Sequence, residues 1–330
     1  MSRLHAAPTE NHPLPQGRIL ALCGGVGGAK LALGLARLLP PERLTVVVNT
    51  GDDFDHMGLR VCPDLDTVMY TLAGQNNQAQ GWGLADESWR LMERLVALGG
   101  EDWFQLGDLD LATHILRNHW LREGQSLTQV TARLAQSMGV ATPLIPMSDD
   151  PVSTLVHTAD GRTLPFQQYF VRERCQPVVA RLEFAGAAVA RPHPLLLQQL
   201  ADSDTAGVVI CPSNPYLSID PLLRLPGVRE ALQRSNAPVV AVAPIVAGGA
   251  IKGPTAKIMS ELGVPVTPTA VAQHYRDFLD GFVLDQQDAG QADAIAALGV
   301  TVAMEQTVMQ TLDDRTALAA ATLELIRRHD

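Results

Sequence analysis

Ile19-Leu20-Ala21-Leu22-Cys23 runs straight into Gly24-Gly25-Val26-Gly27-Gly28-Ala29-Lys30, and Leu44-Thr45-Val46-Val47-Val48-Asn49 follows after a short interval. The first run is continuous, apolar and short, the form of a strand buried on both faces of a parallel sheet. The glycines supply a tight turn with close backbone approach. From Lys30 to Leu39 apolar residues recur at helical spacing, and Pro40-Pro41 stops the helix. The β-branched run at 44–49 is a second buried strand. Strand, glycine turn, helix and strand in that order open a doubly wound fold.

Outward from this unit, helical patterns occupy 89–98, 112–122 and 127–138 with no convincing strand between them. Strand-like runs return at 163–170, 207–211, 238–242 and 281–284, interleaved with helical segments at 221–234 and 270–279, and a last helix covers 312–328. The alternation predicts an α/β protein with a Rossmann-like, mostly parallel sheet. Its expected parts are a disordered lead-in at 1–17, a nucleotide-binding core at 18–71 and 140–330, and a small helical insertion subdomain at 72–139.

Composition narrows the function. The 330 residues are 46% hydrophobic, enough for a core without staples, and carry a formal net charge of −10. Nucleic-acid binding needs a basic footprint and is not expected. The longest apolar run, around 239–251, is too short and too broken by Pro244, Gly248 and Gly249 to span a bilayer. The N-terminus has no apolar core of a secretory signal, and Cys23, Cys62, Cys175 and Cys211 form no C-x-x-C pair. A reducing cytoplasm fits.

The glycine loop nearly matches two phosphate-binding patterns and satisfies neither. A dinucleotide fingerprint wants glycine where Lys30 stands, and a P-loop wants Gly-Lys-Ser/Thr where the chain has Ala29-Lys30-Leu31. Backbone N–H groups at the start of the following helix still suit an anion. After strand two come Asn49-Thr50-Gly51-Asp52-Asp53, Asp55, and Pro63-Asp64-Leu65-Asp66-Thr67. Alternation by two in an extended loop predicts Asp64 and Asp66 on one side. Several carboxylates facing a phosphate repel it unless a cation intervenes, which points to Mg²⁺. Single aspartates in such loops also cap turns. Further polar segments are Gly107-Asp108-Leu109-Asp110 with His114, Ser148-Asp149-Asp150, Pro212-Ser213-Asn214-Pro215, and the glycine-rich stretch with Lys252 and Lys257. Asp108 or Asp110 is expected to cap a helix, and His114 and His119 are too far apart around it to share a metal.

Taken in order, Gly-Gly-Val-Gly-Gly-Ala-Lys (24–30), Val-Val-Asn-Thr-Gly-Asp-Asp (47–53), Pro-Asp-Leu-Asp-Thr (63–67), Leu-Gly-Asp-Leu-Asp-Leu-Ala-Thr-His (106–114), Met-Ser-Asp-Asp-Pro-Val-Ser-Thr (147–154), Pro-Ser-Asn-Pro (212–215) and Gly-Pro-Thr-Ala-Lys (253–257) resemble the 2-phospho-L-lactate transferase family of deazaflavin coenzyme biosynthesis. The resemblance implies transfer of a phosphorylated three-carbon acid from a GDP-linked donor to 7,8-didemethyl-8-hydroxy-5-deazariboflavin, with release of GMP. It also implies a Mg²⁺ cofactor, small-molecule partners and a homodimer. Carried onto this chain, Asp52 and Asp66 are expected to contact the metal and act in catalysis. Gly24, Gly25, Gly27, Gly28, Lys30, Asn49, Asp64, Thr67, Ser213 and Asn214 would bind substrate, and Asp108, His114 and Asp149 would stand on the cleft wall or against the deazaflavin. Asp66→Ala is expected to abolish turnover with the fold intact. Leu109 departs from the pattern, since relatives often place Arg there. Two other readings remain at this point. A nucleotide-sugar-sensing regulatory protein of the same superfamily shares the glycine loop, and a NAD(P) oxidoreductase is disfavoured by Lys30 and the excess of carboxylates.

Overall fold

The computed structural model describes residues 14–251 and 253–329, so residues 1–13 of the expected lead-in and Lys252 lie outside it. Residues 14–17 run against the core, with Leu14 packed on it and the Arg43 guanidinium donating to the Gly17 carbonyl at 2.8 Å.

In chain order the strands are β1 (Arg18–Cys23), β2 (Leu44–Val48), β3 (Phe54–His56), β4 (Leu59–Val61), β5 (Leu144–Pro146), β6 (Ser153–Thr158), β7 (Thr163–Pro165), β8 (Val179–Ala185), β9 (Thr205–Ile210), β10 (Val239–Val242), β11 (Ile245–Val246), β12 (Gly249–Ala250), β13 (Gly281–Asp285) and β14 (Thr301–Glu305). Seven of them form one sheet in the order β14-β13-β10-β9-β1-β2-β5, and every pairing in it is parallel. Both faces are covered, which is why its strands read as unbroken apolar runs. Side chains alternate across β1: Ile19, Ala21 and Cys23 enter the core on one face, Leu20 and Leu22 the core on the other.

Helix α1 (Gly25–Leu38) follows β1, and α2 (Pro63–Leu72) follows the β3–β4 hairpin. The segment between α2 and β5 carries α3 (Arg90–Ala97), α4 (Asp108–Arg122) and α5 (Leu127–Ser137). The C-terminal helix, Leu312–Arg327, packs on α1, where a Cβ at Gly34 would meet the Arg315 carbonyl oxygen at 2.1 Å. From β1 the chain winds outward through β2 to β5, then returns to place β9 on β1's other side. The winding therefore reverses between β1 and β9, and the crevice at their carboxyl ends is where doubly wound folds bind ligands.

Three expectations are corrected. The loop expected to be extended through Asp64 and Asp66 is the first turn of α2, because Pro63 occupies its first position with φ already set for a helix and acidic residues suit its positive end. Two residues apart on a helix, these aspartates point to different sides. The run at 163–170 is not a strand of the parallel sheet. Only β7 is extended, in an antiparallel β7-β6-β8 sheet, and Gln168–Arg172 then form a π-helical turn. Helix α1 starts at Gly25, inside the glycine run rather than after it.

Candidate active site at the sheet switch point

The turn after β1 and the turn after β9 are locked together. Ser213 Oγ accepts from the Gly24 N–H at 3.0 Å and donates to the Gly24 carbonyl at 2.8 Å. A Cβ at Gly27 would sit 2.4 Å from the Pro212 carbonyl oxygen, and one at Gly28 would strike Ser213 Oγ at 2.4 Å. These glycines are needed so that two backbones can meet. Gly25, at φ 62°, turns its N–H toward the Asp64 carboxylate. Asn214 Oδ1 accepts from the N–H groups of Tyr216 and Leu217 at 3.0 and 3.2 Å, while its buried Nδ2 has no hydrogen-bond partner among the described residues.

A cavity of about 610 Å³ opens over these turns, within the range of small-molecule sites. Gly24, Gly25, Gly27, Lys30, Asp52, Asp64, Asp66, Thr67, His114, Ser213 and Asn214 of the expected residues line it. Gly28 lies beneath, and Asn49 acts as a strut, donating from Nδ2 to Asp64 Oδ2 at 2.9 Å and accepting the Gly51 N–H at 2.8 Å. Lys30 Nζ reaches the Met309 carbonyl at 2.7 Å.

Two carboxylate groups differ in environment. Asp52 and Asp64 are buried with no Lys or Arg bonded to them among the described residues. Burial, then the Asp64 and Asp53 charges, push Asp52 well above the usual carboxylate range, and burial lifts Asp64 to about 6. Asp53, behind them, is raised to about 8, again by burial. Asp66, by contrast, is held by both terminal nitrogens of Arg117, one at 3.1 Å. Arg117 Nη1 also lies 2.9 Å from His114 Nδ1. A guanidinium can only donate, so Nδ1 accepts and the His114 ring carries its proton on Nε2. That nitrogen is 3.4 Å from Asp110 Oδ1, without hydrogen-bond geometry, and is unpartnered among the described residues. Tyr70 donates to Asp110 Oδ1 at 2.6 Å. Asp66, Asp110 and His114 each bring one ligand atom within 4.8 Å of the others.

Asp108 and Asp149 do not line the cavity. Asp108 accepts from the Leu91 N–H and Ser88 Oγ at the start of α3, and Asp149 accepts from the Thr128 N–H and Oγ1 at the start of α5. Both do the capping work that short polar acids favour. Tyr70 and Arg117 are site residues that sequence reasoning passed over, and Asp110, expected to cap a helix, lines the cavity as well. Their signal was spacing: Asp66 and Tyr70 are four apart on α2, and Asp110, His114 and Arg117 fall at i, i+4 and i+7 on α4. Two polar stripes thus face each other where apolar ones are the rule.

An all-parallel doubly wound sheet with a glycine turn and buried carboxylates around its switch-point cavity defines a protein that handles a phosphorylated ligand. The family described as 2-phospho-L-lactate transferase CofD matches residues 19–327, and the chain belongs to that family. It is an enzyme, a transferase of a phosphoalkyl group in coenzyme F420 biosynthesis. It is similar to the phosphoenolpyruvate transferase of Streptomyces griseus, 41% identical over 313 residues covering 93% of this chain and 98% of that one. The 2-phospho-L-lactate transferase of Methanosarcina mazei is 38% identical over 306 residues, covering 93% and 99%. A crystal structure of a UPF0052 family member from Bacillus halodurans shares the fold, with a TM-score of 0.60, 17% identity and coverage of 93% and 99%. Among the described residues no helix is long and apolar enough to cross a membrane.

Proposed function

We propose that the enzyme moves a phospholactyl, phosphoenolpyruvyl or phosphoglyceryl group from its GDP-linked donor to the ribityl hydroxyl of 7,8-didemethyl-8-hydroxy-5-deazariboflavin, releasing GMP. The observation that carries this reading is the pair Asp52 and Asp64, buried and bonded to no Lys or Arg among the described residues, in the same cavity as the glycine turn. The diphosphate rests on N–H groups at the start of α1, with the unpartnered Asn214 Nδ2 and His114 Nε2 as further donors. Transfer at phosphorus needs positioning and charge neutralisation more than covalent help from the protein.

The donor set fits Mg²⁺, a hard cation that takes one or two carboxylates with phosphate oxygens. Asp52 and Asp64 offer carboxylate oxygens with no Lys or Arg bonded to them among the described residues, whereas Asp66 is already neutralised by Arg117. Asp52 and Asp64 would hold the ion, and Asp66 would steady the wall through Arg117. When bound, Mg²⁺ neutralises charge on the diphosphate. Four free cysteines suit a reducing cytoplasm. Exposed Leu91, Val96 and Leu98 on and beside α3, with Ile115 and Leu116 on α4, support a homodimer, which light scattering tests.

The deciding experiment incubates the protein with the deazaflavin, Mg²⁺ and each of the three guanylylated acids in turn. A phosphodiester product and stoichiometric GMP are expected with at least one donor, and product mass identifies the acid. No GMP with any donor overturns the proposal.

A further inference from the structure

Phe166 and Phe170 are four residues apart in the turn that ends as the π-helix Gln168–Arg172, and their rings stack at 5.3 Å between centroids, 11° from parallel. Phe166 is buried, whereas Phe170 is 38% exposed, and both line the main cavity. Large aromatic side chains are usually covered in a folded chain. The turn behind the ring is firmly set. Tyr169 is wholly buried and receives the Lys257 ammonium at 3.3 Å on its hydroxyl, and Arg174 and Cys175 close the turn at φ 49° and 56°.

We propose that Phe170 is the platform on which the planar ring of the acceptor stacks, an inference that rests on the function proposed above. The position follows from a row of contacts along the cavity wall. Ser213 bonds Gly24, Gly25 bonds Asp64, Asp64 repels Asp52, and the Asp52 carbonyl accepts from Gln167 Nε2 at 3.5 Å. Phe166 and Phe170 therefore adjoin Asp52, Ser213 adjoins the glycine turn, and all four residues line the same cavity. In a displacement at phosphorus the attacking and leaving oxygens lie roughly in line on opposite sides. GMP departs on the glycine-turn side, so the attacking hydroxyl and the ring attached to it come from the Phe170 side. A tricyclic heterocycle gains by offset stacking on a phenyl face already backed by a second ring. Trp82, 43% exposed and lining the same cavity from the insertion, adds a second aromatic surface.

The test is fluorescence titration of the protein with 7,8-didemethyl-8-hydroxy-5-deazariboflavin, beside calorimetric titration with GDP and Mg²⁺. Phe170→Ala should weaken deazaflavin binding about tenfold, Phe170→Tyr should stay within about twofold of wild type, and neither should alter GDP binding. The platform is overturned if Phe170→Ala binds the deazaflavin like wild type, or if it loses GDP and deazaflavin equally. A wild type that binds no deazaflavin overturns the functional reading and the platform with it. Failure of the platform alone leaves wild-type binding and transfer intact.

Discussion

Asp66 and Arg117 reach no solvent worth the name, and each neutralises the other. Removing one side chain leaves the other as an uncompensated buried charge, which costs about 3–5 kcal/mol. The sequence-based expectation that Asp66→Ala leaves the fold intact therefore gives way: urea unfolding should show both Asp66→Ala and Arg117→Met strongly destabilised. The pair Asp66→Leu with Arg117→Met should recover most of that loss, because two apolar side chains replace two desolvated charges. Asp52 behaves oppositely. Its carboxylate is raised by burial and by like charges, so Asp52→Asn should melt at or above the wild-type temperature while product formation falls about 100-fold or more. An Asp52→Asn enzyme that keeps wild-type turnover would remove this residue from the metal proposal.

At the level of elements, two glycines of α1 separate site from scaffold. Gly27 meets the Pro212 carbonyl and Gly34 meets the Arg315 carbonyl on the C-terminal helix. Gly34→Ala should cost roughly 1–3 kcal/mol by forcing the two helices apart, with GDP affinity nearly unchanged in the folded fraction. Gly27→Ala should separate the turns after β1 and β9 and weaken GDP binding more than it lowers the melting temperature. Calorimetry of both variants checks the contrast. The opening unit was legible because continuous apolar strands, a glycine turn and a proline stop are local signals that burial on both sheet faces imposes. What escaped was set by tertiary contact. The first turn of α2 reads as loop until Pro63 is taken as a helix start, and β5 is three residues long, defined by its partner β2. Asp110 and Arg117 look like an ordinary charged helix face, and only the polar stripe of α2 opposite shows that they turn inward.

For the molecule as a whole, buried acids that bind protons in the folded state make stability depend on pH in an unusual direction. Asp53 at about 8, Asp64 at about 6 and Asp52 above the ordinary range all lie higher than an unfolded aspartate near 4. Between those values the folded chain holds more protons than the unfolded chain, so unfolding free energy falls as pH rises. The contribution is complete below about pH 4 and is lost as pH passes through 6 and then 8. The ligand-free protein should thus melt several degrees lower at about pH 8.5 than at about pH 5.5. A net charge of −10 also opposes folding at high pH by self-repulsion, so the slope alone does not isolate the cavity. Asp53→Asn does: it removes a single charge, leaves both Asp52 and Asp64 in place, and should flatten the decline across pH about 4 to 8. Adding GDP with Mg²⁺ should restore more stability at about pH 8.5 than at 5.5, because the cation competes with protons for the same carboxylates. A stabilisation by GDP and Mg²⁺ that is equal at both pH values would show that the ion binds away from Asp52 and Asp64.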